Sequence, residues 1–206
     1  MSRSVIDGDP QRDNRAAPAV VRAPLAAFLP RHQLARLSGR EQPAQLDDAR
    51  AAVLFVDVCG FSATTLAYAA QGRAGAELLS RSVADTFGDV IAHVHRYGGD
   101  VMVFAGDAVW ALWPVGTGQP AELAAACAAA AQSALDIQSV SLSNDQGAPR
   151  TFALRASVGV GRIENNSVGG AHGPRFSVII GDAITDAGRA GAHAPEGGVV
   201  LSGAAR

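Results

Sequence analysis

Residues 97–114, YGGDVMVFAGDAVWALWP, constrain the fold more than any other part of the chain. They read as two short apolar strands, 101–104 and 108–113, joined by Ala105-Gly106-Asp107 and closed by Pro114. Gly-Asp between two β-rich runs is hairpin punctuation. The tip carries a carboxylate in a hairpin that is otherwise almost wholly apolar. Residues 53–62, VLFVDVCGFS, repeat the feature: an apolar strand delivers Asp57 and turns at Gly60. Either carboxylate taken alone reads first as turn chemistry, because Asp bonds its own backbone in turns. Two apolar strands that each present one Asp point to a divalent-metal site.

The order of elements decides whether the two carboxylates can meet. Residues 1–23 mix Asp, Arg, Pro and Ala without period and read as a disordered lead. A short helix is expected after Pro30, stopped by Gly39, so that residues 1–47 precede a domain spanning 48–206. A buried strand is expected over 51–58. A helix follows from Ser62 as N-cap, with Gly72 and Gly75 as interruptions. Leu78, Leu79, Val83, Phe87, Val90, Ile91 and Val94 recur at helical spacing over 76–97, and Gly98-Gly99 end that helix. After the hairpin come an Ala-rich helix over 121–140, a strand over 152–161, a Gly/Asn loop over 164–174, a strand over 176–180, a helix over 182–192 and a strand over 199–202. This order contains βαββαβ. It predicts an α+β fold of the ferredoxin-like type: an antiparallel sheet with helices packed on one face. There the first strand and the hairpin are neighbours, and Asp57 and Asp107 share one edge.

Charge and cysteine content exclude several classes. The 17 basic residues, all Arg, nearly balance 19 acidic ones, with no basic face for nucleic acid. Cys59 and Cys127 have no metal-ligand spacing and read as free thiols of a reducing, cytoplasmic compartment. His93, His95 and His172 have no ligand spacing either. No signal pattern opens the chain, and the longest apolar run, 123–131, is too short for a membrane span. The chain stops just after a strand, which reads as a piece of a longer protein.

VLFVDVCGFSATT resembles the first metal motif of the class III nucleotidyl cyclase catalytic domain, F-x-D-(I/V)-x-G-F-(S/T). GGDVMVFAGDAVWALWP resembles the second, GG-D-x-x-K-F-x-GDA-x-x-A-x-(F/W), and IIGDAITDAGR is similar to I-G-x-x-V-N-x-A-x-R. Three motifs in family order and spacing, covering 51–202, form a specific signal. The form of the second motif is most like the bacterial and soluble, bicarbonate-responsive branch. The resemblance implies attack of a 3′-hydroxyl on the α-phosphate of a nucleoside triphosphate, giving cyclic AMP and pyrophosphate if ATP is the substrate. It implies two divalent cations, Mg²⁺ or Mn²⁺, and a site shared between two such domains.

Carried over by position, Asp57, Asp107 and the backbone of Val58 match the metal ligands. Val58, Cys59, Gly60, Phe61 and Ser62 match the phosphate-contacting turn. Arg162 follows a strand near where a family Arg meets the triphosphate. Arg189 matches the Arg that supports the transition state. Three departures stand beside these matches. The base-reading Lys position is Val103, the second base-reading position is Val178, and the Asn position is Thr185. With Val at 103, anion sensing near Arg175 loses its expected Lys. Valine cannot hydrogen-bond a purine edge. The resemblance therefore implies a metal-bearing half whose partner is a second cyclase-like domain, expected further along the same polypeptide. A silent regulatory pairing module, a guanylate cyclase, and another two-metal enzyme on the same fold, such as a diguanylate cyclase or polymerase, are the rival readings.

Overall fold

The computed structural model describes residues 30–31, 33–34, 49–116, 118–141, 152–169 and 175–206. The chain order is β1 (Ala49–Val58), α1 (Phe61–Ala69), α2 (Gly72–Arg96), β2 (Asp100–Ala105), β3 (Ala108–Val115), α3 (Pro120–Ser141), β4 (Leu154–Gly169), β5 (Arg175–Ile180), α4 (Asp182–Gly191) and β6 (Val199–Leu201). The sheet runs β2-β3-β1-β4-β5, with β6 beside β4. All pairs are antiparallel except β4 with β6. The βαββαβ core expected from the sequence is present as β1-α2-β2-β3-α3-β4.

β1 is buried almost end to end rather than on alternate residues. Each of its faces has its own cover. Leu54, Val56 and Val58 pack with Val90 and Val94 of α2 and with Ala130, Ala134 and Ile137 of α3. Ala51 and Val53 pack with Ala183 and Ala187 of α4, beside Leu112 and Ile163. A fully buried Leu or Ile here contributes about 1.5–3 kcal/mol by leaving water. The expectation of helices on one face is therefore corrected: α2 and α3 take one face and α4 takes the other.

α4 reaches its face because the strand beneath it has no side chain there. A Cβ at Gly159 would lie 2.4 Å from the Ala187 nitrogen and 2.6 Å from the Ala183 oxygen. Gly159→Ala should lower the unfolding free energy by about 3 kcal/mol, since backbone meets backbone and neither side yields cheaply. Gly88→Ala, with nothing within 4 Å, should raise it by about 0.5–1 kcal/mol, the ordinary helix gain. Urea denaturation of the two variants checks both signs.

Three boundaries differ from the sequence expectation. Residues 164–169 are strand rather than loop: β4 continues to Gly169 and pairs with β5 from Glu164↔Ile180 to Gly169↔Arg175. The ladder outweighs the weak strand preference of Asn165, Asn166 and Ser167, because pairing context governs strand formation more than residue type does. α1 is capped by Gly60 at φ +66°, not by Ser62, which lies inside the helix. Gly reaches this left-handed conformation without a Cβ clash. α2 begins at Gly72, and Gly75 is buried within it, where a Cβ would meet the Tyr68 carbonyl. Most of the proposed lead, residues 1–47, falls outside the described residues, as do 142–150 and 170–174. Of the expected early helix, a turn around Pro30 is described, in which the Gln33 and Leu34 amides donate to the Pro30 oxygen. The Arg31 amide donates to buried Asp100 Oδ1 at 3.0 Å.

Candidate active site

β1 puts Asp57 at its carboxyl end, directly across from Ala108 of β3 and Arg155 of β4. Odd-numbered residues of β1 face α4, so Asp57 shares a face with Val53 and Phe55. The hairpin reverses at Gly106-Asp107, with Gly106 at φ +67° supplying the tight turn. The Val58 amide donates to the Asp107 carbonyl oxygen at 3.2 Å. This bond clips the hairpin tip to the end of β1 and brings Asp57 and Asp107 to one edge of the sheet. Trp113 buttresses the hairpin's far end: its indole Nε1 donates to the Tyr97 oxygen at 2.7 Å, over the Gly98-Gly99 turn. A Cβ at Gly99 would strike the Trp113 ring at 2.5 Å. Trp110 stacks at a tilt on Phe55, centroids 4.6 Å apart.

Asp57 is buried and has a cationic partner. Arg155 Nε and Nη2 donate to Asp57 Oδ2 at 2.8 and 2.5 Å. The hydrogen bond to Asp57 pushes the guanidinium pKa up, and the charges of Asp57 and Asp107 add to it. Asp107 therefore lies within the electrostatic reach of the same guanidinium. Arg155 is the site residue missed by sequence reasoning. Its signal was an Arg in an apolar strand, off the Phe152, Leu154, Ala156 face. Only the β1–β4 register shows that it meets Asp57.

The turn that follows Asp57 opens α1. The Cys59 amide is already committed to the Ala153 oxygen at 2.8 Å, and the Val58 amide to Asp107. The amides from Phe61 to Ala63 head the helix, where no carbonyl four residues earlier exists within it to receive them. Phe61 holds this turn in place by packing on Phe152, centroids 5.5 Å apart. Burial pushes the Cys59 thiol pKa up, against the opposing pull of Arg155. Cys59 is a neutral thiol beside the site.

Val103 and Val178, far apart in sequence, line one apolar cleft of about 340 Å³ with Val53, Trp110, Leu112 and Ile184. They are 51% and 42% exposed. Thr185 and Arg189 lie one turn apart on the exposed side of α4. Arg162 is not brought to Asp57. It pairs with Arg50 at the other end of β1, seven residues along β4 from Arg155, or about 20 Å of strand. It is exposed, with Glu164 Oε1 at 3.9 Å.

The donor set at the β1–hairpin edge is hard oxygen: two carboxylates and the Val58 carbonyl. Such a set suits Mg²⁺ or Mn²⁺ with the remaining positions filled by water and phosphate. Among the described residues no group of three or more His, Cys, Asp or Glu comes together. Two carboxylates and one carbonyl are donors of the type such a cation takes, and no third side-chain ligand joins them among the described residues. Among the same residues no helix is long and apolar enough to cross a membrane.

No protein-family model matches the sequence, and no curated protein does. Solved structures do. The guanylate cyclase domain of RhGC from Catenaria anguillulae, in complex with GTP, superposes with TM-score 0.58 at 18% identity over 76% of this chain and 80% of that one. The adenylyl cyclase CyaB from P. aeruginosa gives 0.57 at 18% identity over 77% and 79%. A bacterial light-regulated adenylyl cyclase gives 0.64 at 19% identity over 84% of this chain and 47% of that one.

Proposed function

We propose that residues 48–206 form a class III nucleotidyl cyclase catalytic domain, whose fold the chain has, and act as the metal-bearing half of a composite, dimeric site. Its reaction is conversion of ATP to cyclic AMP and pyrophosphate in the cytoplasm. The observation that carries this reading is the clip between the Val58 amide and the Asp107 oxygen, which sets two carboxylates beside a helix-opening turn.

Asp57, Asp107 and the Val58 carbonyl would hold two cations, Mg²⁺ or Mn²⁺. The chemistry these supply when bound is neutralisation of charge on the triphosphate and on the attacking oxygen. The amides of Phe61 and Ser62, with Gly60 shaping the turn, receive phosphate oxygens as a helix N-terminus does. Phe61 fixes their direction through its seat on Phe152. Catalysis of this kind is positioning and charge stabilisation, not proton relay by a dedicated side chain.

The complementary half comes from a second cyclase-like domain. Val103 and Val178 offer a purine edge no hydrogen-bonding group at the base-reading positions, and Thr185 stands where the resemblance expects Asn. Val168, Val178 and Ile180 alternate on one face of the β4–β5 ribbon and are all exposed. An exposed apolar stripe of this kind is an association surface. Arg189 is exposed on α4, one turn from Thr185, and in this reading would meet the substrate once the partner is seated. A guanylate cyclase is the second reading, favoured by the likeness to the RhGC domain in its GTP complex.

The test is cyclic nucleotide formation by the isolated chain with Mg²⁺ or Mn²⁺ and ATP or GTP, read by mass spectrometry. We expect no more than about a hundredth of the turnover of a complete cyclase, since unpaired polar recognition costs orders of magnitude. Turnover at an ordinary cyclase rate defeats the composite-site reading. Formation of cyclic GMP in preference to cyclic AMP, once the half-site is completed, defeats the assignment of ATP.

A further inference from the structure

Arg155 is bound to Asp57 in a way that bears on how a cation arrives. The two are direct cross-strand partners on β1 and β4, so their pairing needs no distortion of either strand. Both guanidinium donors converge on Oδ2 of Asp57, rather than spanning its two oxygens. The Asp57 side chain is 12% exposed and that of Arg155 40%, so the arginine stands on the solvent side of the carboxylate. Counted together, Asp57, Asp107 and Arg155 carry a net charge of −1, half of what the carboxylates alone would present.

We infer that Arg155 is a positioning residue that competes with divalent cations for Asp57, so that a cation gains this carboxylate only by displacing a bonded guanidinium. The inference rests on the reading of Asp57 and Asp107 as metal ligands. Charge-assisted hydrogen bonds are among the strongest that side chains make, and losing two of them opposes entry. A unit positive charge a few ångströms from a divalent ion opposes it further, by about tenfold in affinity even at the dielectric of bulk water. The pairing aims Asp57 along the edge while holding its affinity for free metal low.

The test is titration of the full chain with Mn²⁺ alone, followed by electron paramagnetic resonance of the free ion. Native protein, Arg155→Gln, Arg155→Lys and Asp57→Asn are compared, with thermal melts to establish that each is folded. Arg155→Gln is expected to bind Mn²⁺ at least about tenfold more tightly than native. Arg155→Lys keeps the charge but not the planar fork, and should fall between them. It carries the comparison if Arg155→Gln proves unfolded. Asp57→Asn should abolish the gain when added to Arg155→Gln. A merely structural ion pair predicts a lower melting temperature with unchanged affinity. Equal Mn²⁺ affinity in native and Arg155 variants, still lost on Asp57→Asn, overturns the role of Arg155 and leaves the metal ligands standing. Affinity indifferent to Asp57→Asn, or no binding to any variant, overturns the ligand assignment and the inference with it.

Discussion

Asp107→Asn should abolish turnover in any pairing of this chain that makes cyclic nucleotide, by about a thousandfold or more, while leaving the fold untouched. The two effects separate because Asp107 serves the fold through its backbone. Its carbonyl oxygen takes the Val58 amide at 3.2 Å, and Asn keeps that carbonyl and suits a turn equally well. What is lost is one negative charge at the sheet edge, and charge stabilisation is the largest single contribution to chemistry of this type. Asp57→Asn should have the same effect on turnover with a visible structural side effect. The amide still accepts from Arg155, but a charge-assisted pair becomes a neutral one. Because Arg155 is partly open to solvent, that change should cost no more than about 1 kcal/mol in unfolding free energy. The assay is turnover beside a urea melt for each variant. Near-native turnover in either one sinks the metal assignment.

The elements that carry the candidate site were legible in the sequence because their signals are local. A hairpin tip, an apolar strand ending in Asp, and a Gly turn opening a helix each occupy fewer than ten residues. The structure places them as the βαββαβ order implies, with β1 between β3 and β4. What was not legible depends on pairing at long range. The continuation of β4 through Asn165 and Asn166 has no local signal, because those residues are strand only by virtue of β5. The second covered face of β1 shows in the sequence only as an absence of alternation, and that pattern does not say which helix does the covering. Gly159 and Gly161 hold the answer, since they let α4 sit against the strand, but an isolated strand glycine is equally a bulge signal. Arg155 was invisible for the same reason: its meaning lies in the residue across the ladder, not in its neighbours along the chain. Arg162 illustrates the converse. Its place reads as following a strand, yet it lies within β4, opposite Arg50 at the far end of β1 from Asp57.

Val103→Lys, Val178→Asp and Thr185→Asn, made together, should convert the isolated chain into a homodimeric cyclase, raising its turnover of Mn²⁺ and ATP by about a hundredfold or more over the native chain. All three positions are exposed, and surface substitutions of this kind seldom change unfolding free energy by more than about 0.5 kcal/mol. Val103 and Val178 line the same cleft, so the two charges introduced there are close enough to steady one another before any nucleotide arrives. Arg189, one turn beyond Thr185 on α4, is the remaining group in the proposed reading. The expected size of the gain follows from the asymmetry of recognition: an apolar wall leaves the polar edge of a purine unpaired, and the penalty for that is larger than any loss of contact area. Adding Asp107→Asn to the triple variant should return turnover to the background, which ties the gain to the carboxylate edge of the partner copy rather than to a contaminant. A triple variant that is folded and dimeric, binds Mn²⁺ and still forms no cyclic nucleotide would show that the missing groups are not what silences this half. The same result would move the explanation to the geometry of the Asp57–Arg155 pair, where the Mn²⁺ affinities of the Arg155 variants supply an independent measure.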